Sequence, residues 1–181
     1  MTCFLGLDVA TATGWAIWQP GMDRPHYGTW RLPGGGDAIG EKCVALHRQL
    51  ADLHAVYPFD RVCMEAAIQP GGLQGFTNVQ TVHLLVGLCS HVESFCAAYG
   101  IRVRQVPNSS WKKYFFGRGV RGKHIDSKTF KKMSMERCNE LGWHPDSQDA
   151  ADACGVLAYM IELSEQIPPW RDATVLRREI A

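Results

Sequence analysis

The chain has 181 residues, of which 46% are hydrophobic and 20% are charged, and its net charge is only +1. This size and composition predict one domain with a single core, and they exclude a disordered chain, a collagen-like fibre and a coiled coil. No apolar run approaches the roughly 18 to 20 residues of a membrane span, and the first residues lack a basic segment. We therefore expect a cytoplasmic protein with no membrane partner and no secretory signal.

The charge is distributed unevenly along the chain. Residues 1–99 carry 5 basic and 8 acidic side chains, residues 100–140 carry 11 and 3, and residues 141–181 carry 3 and 7. A basic block of this kind is one sign of phosphate binding, and a solvated helix face explains it equally well. The seven cysteines form no C-x-x-C pair, which favours buried free thiols over disulfides or a zinc site.

The N-terminal part of the chain predicts an antiparallel meander of three strands. Residues 3–9, 13–19 and 26–32 are apolar or alternate in polarity, and short turns separate them. A glycine-rich break at 33–36 precedes residues 37–57, whose apolar positions recur at helical spacing.

The rest of the chain alternates between helix and strand patterns. We predict a strand at 61–67, a glycine-rich loop at 69–75, an apolar helix at 77–99, a strand at 101–106, a helix start at 107–110, a glycine and basic loop at 117–123, a basic helix at 127–141 and a helix from 145 to about 163. The order βββαβαβα, with a further helix, predicts an α/β fold with a mixed sheet and helices on its faces. We place one domain at 1–165 and a loose tail at 166–181.

Four carboxylates occupy positions that structure alone does not require. Asp8 and Glu65 end the first and fourth predicted strands, and Asp149 and Asp152 share one face of the last helix, where small neighbours allow close approach to the sheet. Such a group would repel itself, so a hard divalent cation is the natural partner. Asp8 as a turn former and Asp149 as a complement to the helix N-terminus remain as alternatives.

The segments FLGLDVATATGWAIW, CMEAA and SQDAADAC together resemble the RuvC family of Holliday junction resolvases, within the RNase H-like superfamily. The resemblance covers roughly residues 3–163. It implies an RNase H-like five-stranded mixed sheet flanked by helices, a homodimer, and Mg²⁺-dependent nicking of four-way DNA junctions. It also implies that the catalytic, metal-binding residues are Asp8, Glu65, Asp149 and Asp152, which would hold two Mg²⁺ ions per active site, with Mn²⁺ as a substitute.

Further side chains are candidates for DNA contact. Ile68 and Phe76 lie in the stretch after Glu65, which the resemblance places near the branch point, where an apolar side chain can wedge between bases. For Phe76, a role as a core anchor of the next helix is the slightly favoured explanation. The basic candidates are Lys112, Lys113, Arg118, Arg121, Lys123, His124 and Lys128, and the last three of these are candidates for the scissile phosphate. Solubility explains them equally well, and helical spacing favours Trp111 and Phe115 as core residues.

Several functions remain open at this stage. The first is a junction-resolving endonuclease, and the second is a related nuclease that acts on flaps, forks or other branched DNA, as in phage debranching. The third is an actin-like ATP-binding protein, for which the chain is too short, and the fourth is an inactive scaffold of the same fold. The apolar helix at 77–99 is a candidate for the dimer interface or for packing against the sheet.

Overall fold

The computed structural model describes residues 2–34, 38–67, 79–117, 127–164 and 166–171. Five strands and five helices lie within these ranges. In chain order they are β1 (Phe4–Asp8), β2 (Ala12–Trp18), β3 (His26–Arg31), α1 (Ile39–Val56), β4 (Arg61–Glu65), α2 (Val79–Ala98), β5 (Arg102–Val106), α3 (Asn108–Phe116), α4 (Ser127–Glu140) and α5 (Gln148–Leu163).

The strands form one mixed sheet in the order β3-β2-β1-β4-β5. The meander β1-β2-β3 is antiparallel, whereas β4 pairs parallel to β1 and β5 pairs parallel to β4. The predicted five-stranded mixed sheet flanked by helices is therefore confirmed. Because β1, β4 and β5 run in the same direction, their C-terminal ends meet at one edge of the sheet, and this edge is called the carboxylate edge below.

The two faces of the sheet bury different residues, as the alternation of side chains along a strand requires. On one face Phe4, Trp18 and Cys63 pack with α5. On the other face Leu5 and Val62 belong to the cluster that includes buried residues of α1 and α2. Asp8 follows Phe4 at even spacing along β1, so its side chain belongs to the face that α5 covers.

Helix α5 lies unusually close to the strands beneath it. A Cβ atom added to Gly6 would lie 2.6 Å from the Leu157 nitrogen and 2.7 Å from the Ala153 oxygen, and both are backbone atoms of α5. The buried stretch Ala150–Ala158 supplies mostly small side chains at this contact. The predicted close approach of this helix to the sheet is confirmed, and it requires glycine in β1 as well as alanine in α5.

The region after β5 contains one more helix than the predicted element order. The helix start at 107–110 begins a helix of its own, α3, whose Trp111 and Phe115 are buried as predicted. Packing also continues beyond the boundary placed at residue 165. The Trp170 ring lies 5.4 Å from the Trp18 ring and 5.0 Å from the Trp143 ring, centroid to centroid. The rest of the expected tail, residues 172–181, lies outside the described residues.

The expectation that no segment is long and apolar enough to span a membrane is wrong for helix α2. Its 20 residues are long and apolar enough to cross a membrane by length and composition alone, although no such run was expected. A core helix passes the same test, and α2 buries Val82, Leu88, Val92 and Phe95 in the protein.

The cysteines are free, as predicted, and six of the seven are buried. Burial raises the pKa of the Cys63 and Cys96 thiols to about 12. These thiols are therefore protonated near neutral pH and act as small apolar core groups.

Candidate active site

Asp8 and Glu65 lie side by side at the carboxylate edge. Leu7 and Met64 are register partners in the parallel β1–β4 pair, and the two acidic residues each follow one position later. Neighbouring strands lie about 4.8 Å apart, and residues at matched positions face the same side of a sheet. The two strand-end carboxylates predicted from sequence therefore share one edge and one face.

The N-terminus of α5 is attached to this edge from the side of β2 and β3. Ser147 caps the helix, because its hydroxyl accepts a hydrogen bond of 3.1 Å from the Ala150 nitrogen. The same hydroxyl is hydrogen-bonded to the hydroxyl of Thr29 on β3. These contacts hold the first turn of α5, which contains Asp149, against the sheet.

Gly14 determines how close that turn comes. It is the register partner of Asp8 on β2, and a Cβ atom at this position would overlap the Asp149 carbonyl group. The Asp149 backbone thus lies directly over the residue that pairs with Asp8. Asp8 and Asp149 are far apart in sequence. Their main chains come close together because Gly14, which lies between them, has no side chain.

Glu65 is oriented by two donors from α3. The Asn108 side-chain nitrogen donates a hydrogen bond of 2.5 Å to Oε1, and the Trp111 indole nitrogen donates one of 3.1 Å to Oε2. Each carboxylate oxygen therefore has one donor and retains acceptor capacity for another partner. Trp111 is fully buried, so its donor has little freedom to move.

Asp152 is placed more deeply than the other three carboxylates. Only 8% of its surface is exposed, and the hydroxyl of the fully buried Ser134 on α4 donates a hydrogen bond to Oδ1. Asp149 is only half-buried. The D-x-x-D pair of α5 therefore has one carboxylate near the surface and one held inside by α4.

The donor chemistry of these residues fits a hard divalent cation. Carboxylate oxygens are the ligands that Mg²⁺ and Mn²⁺ prefer, and carboxylates that ligate metals are themselves hydrogen-bonded by outer residues, as Glu65 and Asp152 are here. Within the described ranges, however, no three His, Cys, Asp or Glu side chains are already grouped closely enough to hold one ion. The backbone brings Asp8, Glu65 and the start of α5 to one edge of the sheet, and among the described residues no three of the acidic side chains are gathered around a common point.

The structure describes only part of the predicted DNA contacts. Lys113 is exposed on α3, and the Lys112 nitrogen lies 5.2 Å from the centroid of the Trp111 ring. The remaining candidates lie outside the described residues, namely Ile68, Phe76, Arg118, Arg121, Lys123, His124 and the side chain of Lys128. Their roles stay predictions.

Sequence reasoning missed three of the residues that build this site. Asn108 and Ser134 orient carboxylates, and Gly14 admits the start of α5. An asparagine that directly follows a proline at a helix start is ordinarily explained by capping, and a serine within a basic helix carries no signal of its own. These roles depend on contacts between distant parts of the chain.

Comparison with known proteins gives matches in structure alone. No protein-family model matches the chain, and no curated protein matches its sequence. RuvC from T. thermophilus in complex with a Holliday junction substrate superimposes with a TM-score of 0.64 at 12% identity, covering 90% of this chain and 96% of that one. A second T. thermophilus RuvC structure gives 0.61 at 14% identity, with coverage of 90% and 97%.

A third match comes from a different kind of organism. The yeast mitochondrial Holliday junction resolvase Ydc2 gives a TM-score of 0.57 at 12% identity, covering 89% of this chain and 80% of that one. At these identities the matches establish the fold. The chain has the RNase H-like fold of RuvC, as the sequence resemblance implied.

Proposed function

We propose that this protein is a metal-dependent endonuclease that nicks four-way DNA junctions. The observation that carries the proposal is the convergence of Asp8, Glu65 and the start of α5 at one edge of a sheet. This convergence occurs in a chain whose fold matches, over 90% of its length, a RuvC bound to a Holliday junction substrate. Fold likeness alone does not assign an activity, so the carboxylates are essential to the argument.

The four carboxylates are the proposed ligands of two Mg²⁺ or Mn²⁺ ions. When bound, such a pair of ions supplies an activated water and stabilises the leaving oxygen of a phosphodiester. The chain itself supplies orientation. Asn108 and Trp111 fix both oxygens of Glu65, and Ser134 fixes one oxygen of Asp152.

The junction itself is proposed to contact the basic segment that follows β5. Lys112 and Lys113 on α3 are neighbours of the residues that hold Glu65, so phosphates bound there would lie beside the carboxylate edge. We extend this role to Arg118, Arg121, Lys123, His124 and Lys128, and we retain Ile68 and Phe76 as candidates for a wedge at the branch point. Phosphate contacts of this kind position the DNA without reading its sequence.

We also propose that the protein acts as a homodimer, since two symmetric nicks across a junction need two active sites related by a two-fold axis. Helix α2 exposes apolar side chains that a partner subunit would cover, including Val79 at 79% and Val86 at 40% exposure. Sedimentation equilibrium at micromolar concentration is the test. A strictly monomeric species with and without DNA would exclude the dimer and favour a flap-type nuclease.

The decisive experiment measures cleavage by carboxylate variants. Asp8→Asn, Glu65→Gln, Asp149→Asn and Asp152→Asn are compared with wild type on synthetic four-way junctions, flaps, forks and linear duplexes across a Mg²⁺ titration. Asp52→Asn, on the exposed surface of α1, removes the same charge elsewhere and is the matched control.

We expect each of the four variants to lose cleavage while the control keeps it. Junction binding should survive in all of them, because phosphate contacts supply most of the affinity. Full cleavage by the Asp8, Glu65 or Asp149 variant would contradict the assigned site. Preferred cleavage of flaps or forks by wild type would assign the chain to another class of branched DNA.

A further inference from the structure

Three arginines converge on the face of the sheet that α5 covers, at the end opposite the carboxylate edge. Arg61 begins β4, and its register partner Arg102 begins β5. Arg104 lies two residues further along β5 and therefore faces the same side as Arg102. Burial raises the pKa of Cys63, the register partner of Arg104, and the Arg104 guanidinium lowers it by a smaller amount. These three side chains are called the arginine cluster.

The arginine cluster borders a cavity of about 180 Å³ between the sheet and the end of α5. The rest of its lining is mostly apolar and includes Phe4, Met160 and Leu163. Arg61 lies over the Phe4 ring, with its guanidinium carbon 6.0 Å from the ring centroid. The cavity therefore has an apolar floor with cationic walls.

This arrangement is unfavourable for the protein alone. Arg61 and Arg102 are register partners on neighbouring parallel strands, so two like charges lie side by side and repel each other. Among the residues that the structure describes, no carboxylate forms an ion pair with any member of the cluster. An anion that bridges the guanidinium groups would relieve the repulsion.

We propose that the arginine cluster is a second phosphate-binding site, which holds the DNA backbone at a distance from the carboxylate edge. The proposal rests on the proposed function and adds a contact to it. Arg102 and Val106 are four residues apart along β5, about 13 Å at the usual rise of a strand, and Val106 is the register partner of Glu65. At about 3.4 Å per nucleotide step, this separation corresponds to about four steps along a duplex arm.

The neighbouring surface links the arginine cluster to the carboxylate edge, where DNA is proposed to bind, and this link is the reason for choosing nucleic acid as the ligand. Helix α3 begins beside Glu65 at the carboxylate edge. Further along this helix, the Tyr114 hydroxyl lies 3.5 Å from a carboxylate oxygen of Glu162, and Glu162 is next to the end of α5 that lines the cavity. The exposed Lys113 precedes Tyr114, so cations lie both at the cluster and along the path back to the carboxylate edge. Arg102 and Arg104 are spaced about 6.6 Å apart along the strand, which suits a repeating polyanion. Planar guanidinium groups also bind phosphate oxygens in pairs.

The test is the salt dependence of junction binding in an Asp8→Asn background, where cleavage does not interfere. The double variant Arg102→Ala/Arg104→Ala is compared with its parent by fluorescence anisotropy on a four-way junction across a NaCl series. If both side chains contact phosphates, the slope of log affinity against log salt should flatten by about 2 units, at about 0.9 per contact.

Two further variants serve as controls. Arg24→Ala/Arg48→Ala removes two exposed arginines from other parts of the surface and should leave the slope unchanged. Arg102→Lys/Arg104→Lys keeps the charges and should keep the slope. If the alanine variant does not fold, as judged by its thermal melting, Arg102→Gln/Arg104→Gln keeps the side-chain stems and replaces it.

An unchanged slope in the cluster variant, or an equal change in the Arg24/Arg48 control, would overturn the proposal. Binding of a polyglutamate peptide that depends on the cluster, together with an unchanged junction slope, would overturn it in favour of a protein partner. Failure of the proposed function would show itself separately, as wild-type protein that binds junctions and cleaves none.

Discussion

Replacing Gly14 by alanine should disturb the active site while leaving every proposed ligand in the chain. A Cβ atom at this position would overlap the carbonyl group of Asp149 and lie 3.0 Å from the Ala150 nitrogen. Both are backbone atoms of the first turn of α5, so rotation of a side chain cannot relieve the overlap. The start of α5 must therefore move away from β2 by about 1 Å or more, and Asp149 moves with it. Misplacement of this size costs on the order of 100-fold in rate, and overpacking costs about 1 to 3 kcal/mol of stability.

Urea unfolding and junction cleavage measure these two effects separately. Gly40→Ala is the matched control, because a Cβ atom there meets nothing within 4 Å and the site lies in the first turn of α1. We expect this control to cleave normally and to gain up to about 1 kcal/mol, as alanine favours helix over glycine. Unchanged stability and cleavage in the Gly14 variant would refute the close contact between α5 and β2. Lost stability with full cleavage would refute the coupling of that contact to the site.

Two further predictions concern the residues that orient the carboxylates. Trp111→Phe keeps most of the buried ring but removes the donor to Glu65, so we expect cleavage at limiting Mg²⁺ to fall by about 10- to 100-fold, measured as a shift of the Mg²⁺ titration. An unshifted titration would show that the indole nitrogen is dispensable. Ser134→Ala leaves the buried carboxylate of Asp152 without this donor and should lower the free energy of unfolding in urea by about 1 to 3 kcal/mol. Ser109→Ala, at an exposed position of α3, is the control and should leave the free energy of unfolding unchanged.

The parts of the fold that the sequence predicts are those set by short-range patterns. The apolar run ending at Asp8 and the apolar run ending at Glu65 each form a buried strand whose last residue is the acidic one. The small residues around Asp152 indicate a helix that lies close to the sheet, and α5 does so. In each case the periodicity or the size of neighbouring residues predicts the element, and both are visible in the sequence without the tertiary structure.

The residues that hydrogen-bond the carboxylates cannot be predicted from such patterns. Asn108 and Glu65 are 43 residues apart in sequence, and Ser134 and Asp152 are 18 apart. Neither pair shares a strand or a helix, so no spacing rule connects them. Gly14 illustrates the same limit, because the sequence places it in the second predicted strand, where it does lie, but no local pattern shows that α5 requires a glycine there.

The placement of positive charge shows why composition alone underdetermines a binding surface. Residues 100–140 carry the excess of cations. The DNA-binding candidates predicted from sequence in this segment begin at Lys112, because they lie in predicted loops and helices. Two of the cations instead lie in β5, and a third, Arg61, comes from β4, outside the basic segment altogether. The three meet because the parallel pairing of β4 with β5 aligns Arg61 with Arg102, and the same register aligns Glu65 with Val106. A shift of one residue in that register would turn the arginines of β5 to the opposite face, so the register sets both the cluster and its distance from the carboxylates.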